Sequence, residues 1–126
     1  MSATEKTPII IAGQCSAESE QQIMQTAAAI AENSLVTGYR SGVWKPRSRP
    51  GNFEGAGDVA LEWLMRVKQK HNLSPAIEVA TPEHIDKALA AGINFLWIGA
   101  RTTSNPFSVQ QIANVLKGKA CNVMVK

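Results

Sequence analysis

The chain has 126 residues, 44% hydrophobic and 18% charged, with nine Gly, six Pro and two Cys, which fits one globular domain and excludes a disordered or low-complexity segment. Its formal charge of +3 is uneven: residues 1–86 hold eight basic and ten acidic side chains, and residues 87–126 hold five basic and no acidic ones. No apolar run approaches the ~18–20 residues that span a bilayer, and no apolar core follows Met1–Lys6, so neither a membrane span nor a signal peptide is expected, and the expected location is the cytoplasm, with reduced thiols.

Strand and helix signals alternate along the chain. Ile9–Ala12 is a short β-branched run closed by Gly13, the mark of a buried strand. Ser19 with Gln22 forms a capping box for a helix over Ser19–Asn33, whose apolar stripe is Ile23, Ala27, Ile30 and Ala31. A second strand, Leu35–Tyr39, leads into a long polar stretch, Arg40–Gly57. Asp58–His71 is helical, with Ala60, Leu61, Leu64, Met65 and Val67 on one side, and Ala76–Val79 is a third strand. Thr81-Pro82-Glu83 combines a capping Thr, Pro at the first helical position and an acid in the first turn; that helix ends at Gly92. Phe95–Ile98 is a fourth strand. Ser108 with Gln111 reads as a capping box opening a helix that ends at Gly118, and Asn122–Lys126 is a fifth strand.

This alternation predicts a parallel sheet with covering helices, in either a doubly wound sheet or a (β/α) barrel. Both architectures bind ligands at the C-terminal ends of the strands. The positions there are Gly13-Gln14-Cys15-Ser16, then Arg40 to Lys45-Pro46-Arg47-Ser48, then Glu78, Gly99-Ala100-Arg101 and Lys126. Cations gathered in one crevice repel one another unless an anion joins them. Arg supplies paired bonds to phosphate or carboxylate, and Lys supplies a point charge. The expected occupant is therefore an anionic, phosphorylated small molecule. A nucleic-acid partner is disfavoured, because Tyr, Phe and Trp number only one, three and three and sit at core-like positions.

Five of these segments, in order, resemble 3-deoxy-7-phosphoheptulonate synthases: Ala12–Ser19, Arg40–Ser48, Phe53-Glu54-Gly55, Ile77-Glu78-Val79 and Ile98–Arg101. The resemblance runs from Pro8 to Lys126 and points to the short class without large regulatory extensions. The related octulosonate 8-phosphate synthases typically have Lys-Ala-Asn-Arg-Ser where this chain has Lys45-Pro46-Arg47-Ser48, which favours the heptulosonate enzyme. The resemblance implies a parallel (β/α) TIM-type barrel, truncated here to about five strands and four helices of eight, with residues 1–7 as a disordered arm and 8–126 as the partial barrel. It implies condensation of phosphoenolpyruvate with erythrose 4-phosphate, the first step of the shikimate route to aromatic amino acids. Arg40, Lys45, Arg101 and Lys126 would bind phosphoenolpyruvate, Pro46, Arg47 and Ser48 would hold erythrose 4-phosphate, and Ala100 would be a further substrate-binding residue. Lys45 and Glu78 would be catalytic, with Glu78 orienting the cations and a water. Cys15 would be the first ligand of a divalent metal, for which a thiolate favours manganese, iron, zinc or cobalt.

Some residues have plainer readings. Trp44, Trp63 and Trp97 read as core or barrel-wall residues, Cys121 as core, and His71 and His84 as solvent-side residues on helix ends. Gly55–Ala60 matches a dinucleotide fingerprint but follows a polar loop instead of a strand, so it is set aside. Gln14 stands where the family usually has Pro, Ser48 where it has Thr, and Ile77 where it commonly has Thr. By resemblance the other metal ligands (His, Glu and Asp) and one further phosphate-binding Arg lie beyond residue 126. These 126 residues alone are thus expected to have little or no synthase activity and, with open sheet edges, to self-associate as a homo-oligomer. A phosphometabolite-binding module without catalysis is the alternative from a different class.

Overall fold

A computed structural model describes residues 8–44 and 55–126. Residues 1–7, expected as an arm, and Lys45, Pro46, Arg47 and Ser48 lie outside the described residues.

Ten elements follow in order: β1 (Ile10–Ser16), α1 (Glu20–Ala31), β2 (Val36–Gly42), α2 (Val59–His71), β3 (Ser74–Val79), α3 (Pro82–Ala91), β4 (Phe95–Ile98), α4 (Ala100–Thr103), α5 (Pro106–Leu116) and β5 (Asn122–Val125). The caps read from sequence explain several boundaries. Ser19 Oγ accepts from the Gln22 amide at 3.1 Å, and Thr81 Oγ1 accepts from the His84 amide at 3.2 Å, each satisfying an N–H that a helix start leaves open. Gly92 ends α3 at φ 93°, a left-handed conformation that suits glycine.

Several boundaries differ from expectation: β1 runs on to Ser16 and β2 to Gly42, so Cys15 and Arg40 lie inside strands and not after them, β3 already begins at Ser74, and α1 ends at Ala31. The last helix starts at Pro106, not Ser108: Asn105 Oδ1 accepts from the amides of Phe107 and Ser108, and Pro106 occupies a first turn where no N–H is needed. The residues after β4 form the short helix α4, which holds Ala100 and Arg101, instead of a plain strand end.

The five strands are parallel and lie in sequence order, β1-β2-β3-β4-β5. A doubly wound sheet reverses its order at a switch point, and this sheet does not. α1 packs on α2, α2 on α3 and α3 on α5, a row of helices. Beneath the row lies the core: Tyr39, Ile77, Val79, Leu96 and Ile98 from the strands meet Ile23, Leu64, Val67, Ile85 and Ile112 from the helices. Burying each such side chain contributes about 1.5–3 kcal/mol. Residues of opposite parity, among them Ala76 and Trp97, point to the other face, where Ile9 beside β1 and Met124 of β5 line one cavity. The two outer strands therefore approach each other across a curled sheet.

Candidate anion site

The strand register builds the site. Arg40 of β2 pairs with Ala76 of β3; two residues on, Glu78 pairs with Trp97 of β4, which pairs with Met124 of β5. Arg40, Glu78, Trp97 and Met124 therefore share the face away from the helices. The cavity on that face has a volume of about 300 Å³, with Ile9, Ile11 and Met124 as apolar wall and Arg40, Trp97 and Lys126 among its other lining residues.

Arg40 holds its guanidinium carbon 4.8 Å from the centre of the Trp97 ring, and Lys126 Nζ lies 5.5 Å from it. Both distances are within cation–π range. The Trp97 indole N–H donates to Glu78 Oε1 at 3.0 Å, and the glutamate is 6% exposed. Arg40 Nε is buried with no hydrogen-bond partner among the described residues. A buried donor without an acceptor is costly, and an anion in this cavity would supply one. Gly99 makes room for Glu78: a Cβ there would lie 2.8 Å from the Glu78 carboxylate, so a larger residue would displace that carboxylate.

Of the residues singled out from sequence, the structure brings Arg40, Glu78 and Lys126 together around Trp97. Glu78 is buried beside Trp97 and does not itself line the cavity, and Cys15, Ala100 and Arg101 are exposed and do not line it either; Arg101 belongs to α4. Both cysteines are free thiols, and Cys121 is half-buried against the core just before β5. Among the described residues, no three His, Cys, Asp or Glu side chains gather into a group able to hold a metal ion. Trp97 is the site residue that its wall-residue reading missed. Its alternation with Phe95 and Gly99 is visible in the sequence, but only the register with β3 sets it opposite Glu78.

Gln14, where the family usually has Pro, ties β1 to β2: the buried Tyr39 hydroxyl donates to Gln14 Oε1. Burial pushes the Tyr39 phenol up to about 12, partly offset by that hydrogen bond.

Beside the site, Trp44 stacks flat on His84, with ring centres 4.4 Å apart and planes 3° apart, and its indole N–H donates to Asp58 at 3.0 Å. The Ala80 amide donates to His84 Nδ1 at 3.1 Å. Lys87 bridges Asp58 and Glu83 at 2.8 and 2.9 Å, and its bond to Asp58 holds that carboxyl below its ordinary range. His84 is thus a half-buried connector and not the solvent-side residue expected from its helix-end position. His71 is corrected likewise, for its Nε2 is buried.

Burial holds the His84 imidazole below its ordinary 6.5. The unfolded chain then binds a proton more readily, so the contribution to stability is complete above 6.5 and is lost as pH falls through the lower folded value. The unfolding midpoint should drop as pH falls below about 6.5. In His84→Asn, whose side-chain carbonyl can accept from Ala80, the drop should shrink; an identical drop would assign it to other groups.

A family model described as the DAHP synthetase I family matches residues 2–123. A phospho-2-dehydro-3-deoxyheptonate aldolase of Thermotoga maritima is 34% identical over 96 residues, which span 76% of this chain and 28% of that protein. The crystal structure of a Thermotoga maritima phospho-2-dehydro-3-deoxyheptonate aldolase (DAHP synthase) superposes with a TM-score of 0.79 at 26% identity, covering 95% of this chain and 34% of the other. A truncated form of 3-deoxy-D-arabino-heptulosonate 7-phosphate synthase from the same organism gives 0.70 at 24% identity, with 93% and 38% covered, a likeness of fold alone. The chain spans about a third of the length of these relatives. Its five-stranded sheet corresponds to part of a (β/α) barrel.

Proposed function

Since the chain belongs to the DAHP synthetase I family, we propose that it supplies the phosphoenolpyruvate-binding part of an active site that condenses phosphoenolpyruvate with erythrose 4-phosphate. The observation that carries this reading is the buried Arg40 Nε, unpartnered among the described residues, in a cavity that Lys126 also lines. Phosphoenolpyruvate has a carboxylate and a phosphate, so two cations on a fixed wall can hold both ends and orient the enol carbon. Glu78, buried beside Trp97, brings a negative charge to that wall and orients the cations and a water. Lys45, Pro46, Arg47 and Ser48 would meet the sugar phosphate, with Arg101 adding charge from α4.

Cys15 would be the first ligand of a divalent ion. One thiol is an incomplete donor set, and the described residues complete none, so they do not by themselves fit a catalytic ion. When bound in a complete site, such an ion would polarise the aldehyde of the sugar phosphate. The part that falls to this chain's own residues is to bind and orient the anion.

Calorimetric titration of the purified chain tests the reading. We expect saturable binding of one phosphoenolpyruvate per chain, displaced by inorganic phosphate. With erythrose 4-phosphate and manganese added, turnover should stay at least about a thousandfold below the usual enzymatic range. Absence of binding sinks the proposed site, and full turnover sinks the view that these residues are only a part of it.

We also propose association between copies. Val123, Met124 and Val125 of β5 are 39%, 38% and 62% exposed and Ile9 is 74% exposed, which leaves apolar strand edges in water. Sedimentation at rising concentration should show dimers or larger species; a monomer throughout contradicts this.

A further inference from the structure

We propose that Trp97 is a positioning residue for this anion site, holding Arg40 and Lys126 by its ring and Glu78 by its indole N–H. The proposal rests on the reading of the cavity as the phosphoenolpyruvate site and assigns that site one more working part.

Trp97 is 1% exposed, yet it does not belong to the apolar core under the helices. Its partners include two cations and an acid: Arg40 at 4.8 Å, Lys126 at 5.5 Å and Glu78 Oε1 at 3.0 Å. Leu or Phe would fill the same wall with no polar atom to satisfy. An indole does what neither can do alone. Its electron-rich face attracts cations without neutralising them, so both stay available to an incoming anion. Its N–H bonds one carboxylate oxygen, and Gly99 leaves the room that this carboxylate needs. The long side chains of Arg40 and Lys126 would otherwise sample many rotamers and have to be ordered when ligand arrives. A ring already in contact with both lowers that cost, and the same geometry sets their spacing.

The test uses the 126-residue chain with phosphoenolpyruvate and inorganic phosphate as probes. Trp97→Leu removes the face and the N–H; Trp97→Phe restores a face. Thermal unfolding is followed in parallel to establish that each variant folds. We expect Trp97→Leu to weaken phosphoenolpyruvate binding about tenfold, and Trp97→Phe, which keeps a ring face but loses the N–H to Glu78, to recover only part of that loss. Because Trp97 acts in part through Arg40, its loss should be clearly smaller in an Arg40→Gln background, the remainder acting through Lys126 and Glu78. Additive losses, or a folded Trp97→Leu chain that binds like the parent, overturn the proposal. A second readout needs no variant: the Arg40 and Lys126 side-chain protons of the unliganded chain should carry upfield ring-current shifts in NMR spectra, and ordinary shifts for both also overturn it. If the parent chain binds neither probe, the site reading itself has failed. If the parent binds and Trp97 proves inert, only the present inference has failed.

Discussion

Replacing Arg40 by alanine should weaken phosphoenolpyruvate binding about a hundredfold while leaving the fold nearly as stable as before. Charge-assisted hydrogen bonds contribute about 1.5–3 kcal/mol each, and a guanidinium offers two in parallel to a carboxylate or phosphate. Its Nε is buried and has no partner among the described residues, so the fold already bears a desolvation cost there. Removing the group abolishes that cost together with the cation–π contact to Trp97, and the two changes oppose each other. Arg40→Lys keeps the charge and loses the fork, so it should fall between, at about a tenfold loss. Calorimetry with phosphoenolpyruvate, paired with urea unfolding, separates the two effects. Undiminished affinity in Arg40→Ala would remove Arg40 from the site, and a collapse in stability would make its role structural.

Gly13→Ala should destabilise the fold by about 3 kcal/mol, more than a typical single substitution. Gly13 has φ 154°, a conformation that side chains rarely adopt, and a Cβ built there would lie 1.9 Å from the Arg40 carbonyl oxygen. That contact is with backbone, so no rotamer change relieves it: β1 must move away from β2, or Arg40 must shift along its strand. Either movement disturbs the wall that carries the guanidinium, and phosphoenolpyruvate affinity should fall with stability. Gly57 provides the control. Its φ is 80°, but among the described residues nothing beyond its chain neighbours lies within 4 Å of the added Cβ, so Gly57→Ala should cost only the local backbone strain, about 1 kcal/mol. Equal losses in the two variants, measured by urea unfolding, would show that β1 approaches β2 less closely than this contact requires.

Much of the fold is legible in the sequence because its determinants are local. Ser19, Thr81-Pro82 and Gly92 announce helix ends through groups within three or four residues, and each boundary falls where that chemistry places it. The start of α5 is misleading because Ser108 and Gln111 imitate a capping box one turn inside the helix that Asn105-Pro106 begins. α4 escapes notice because four residues are too few to show a helical period. In the site, Arg40, Glu78 and Lys126 can be nominated by strand-end position alone, since a parallel sheet brings all such ends to one edge. The parts set by long-range packing cannot. Trp97 faces Glu78 through the pairing of β3 with β4, and His84 is covered by Trp44 from forty residues earlier. Neither neighbour is written into the local sequence.

The placement of the ligand itself is the most direct measurement, made by following backbone amide and indole N–H resonances of the isotope-labelled chain as phosphoenolpyruvate is added. The Arg40, Glu78 and Lys126 amides and the Trp97 indole N–H should shift together and saturate at one equivalent. Leu61, Met65 and Ala91, in the separate groove between α2 and α3, should stay unmoved. Shifts confined to that groove, or absent at saturating phosphoenolpyruvate, would contradict the assignment of the cavity around Trp97 as the anion site.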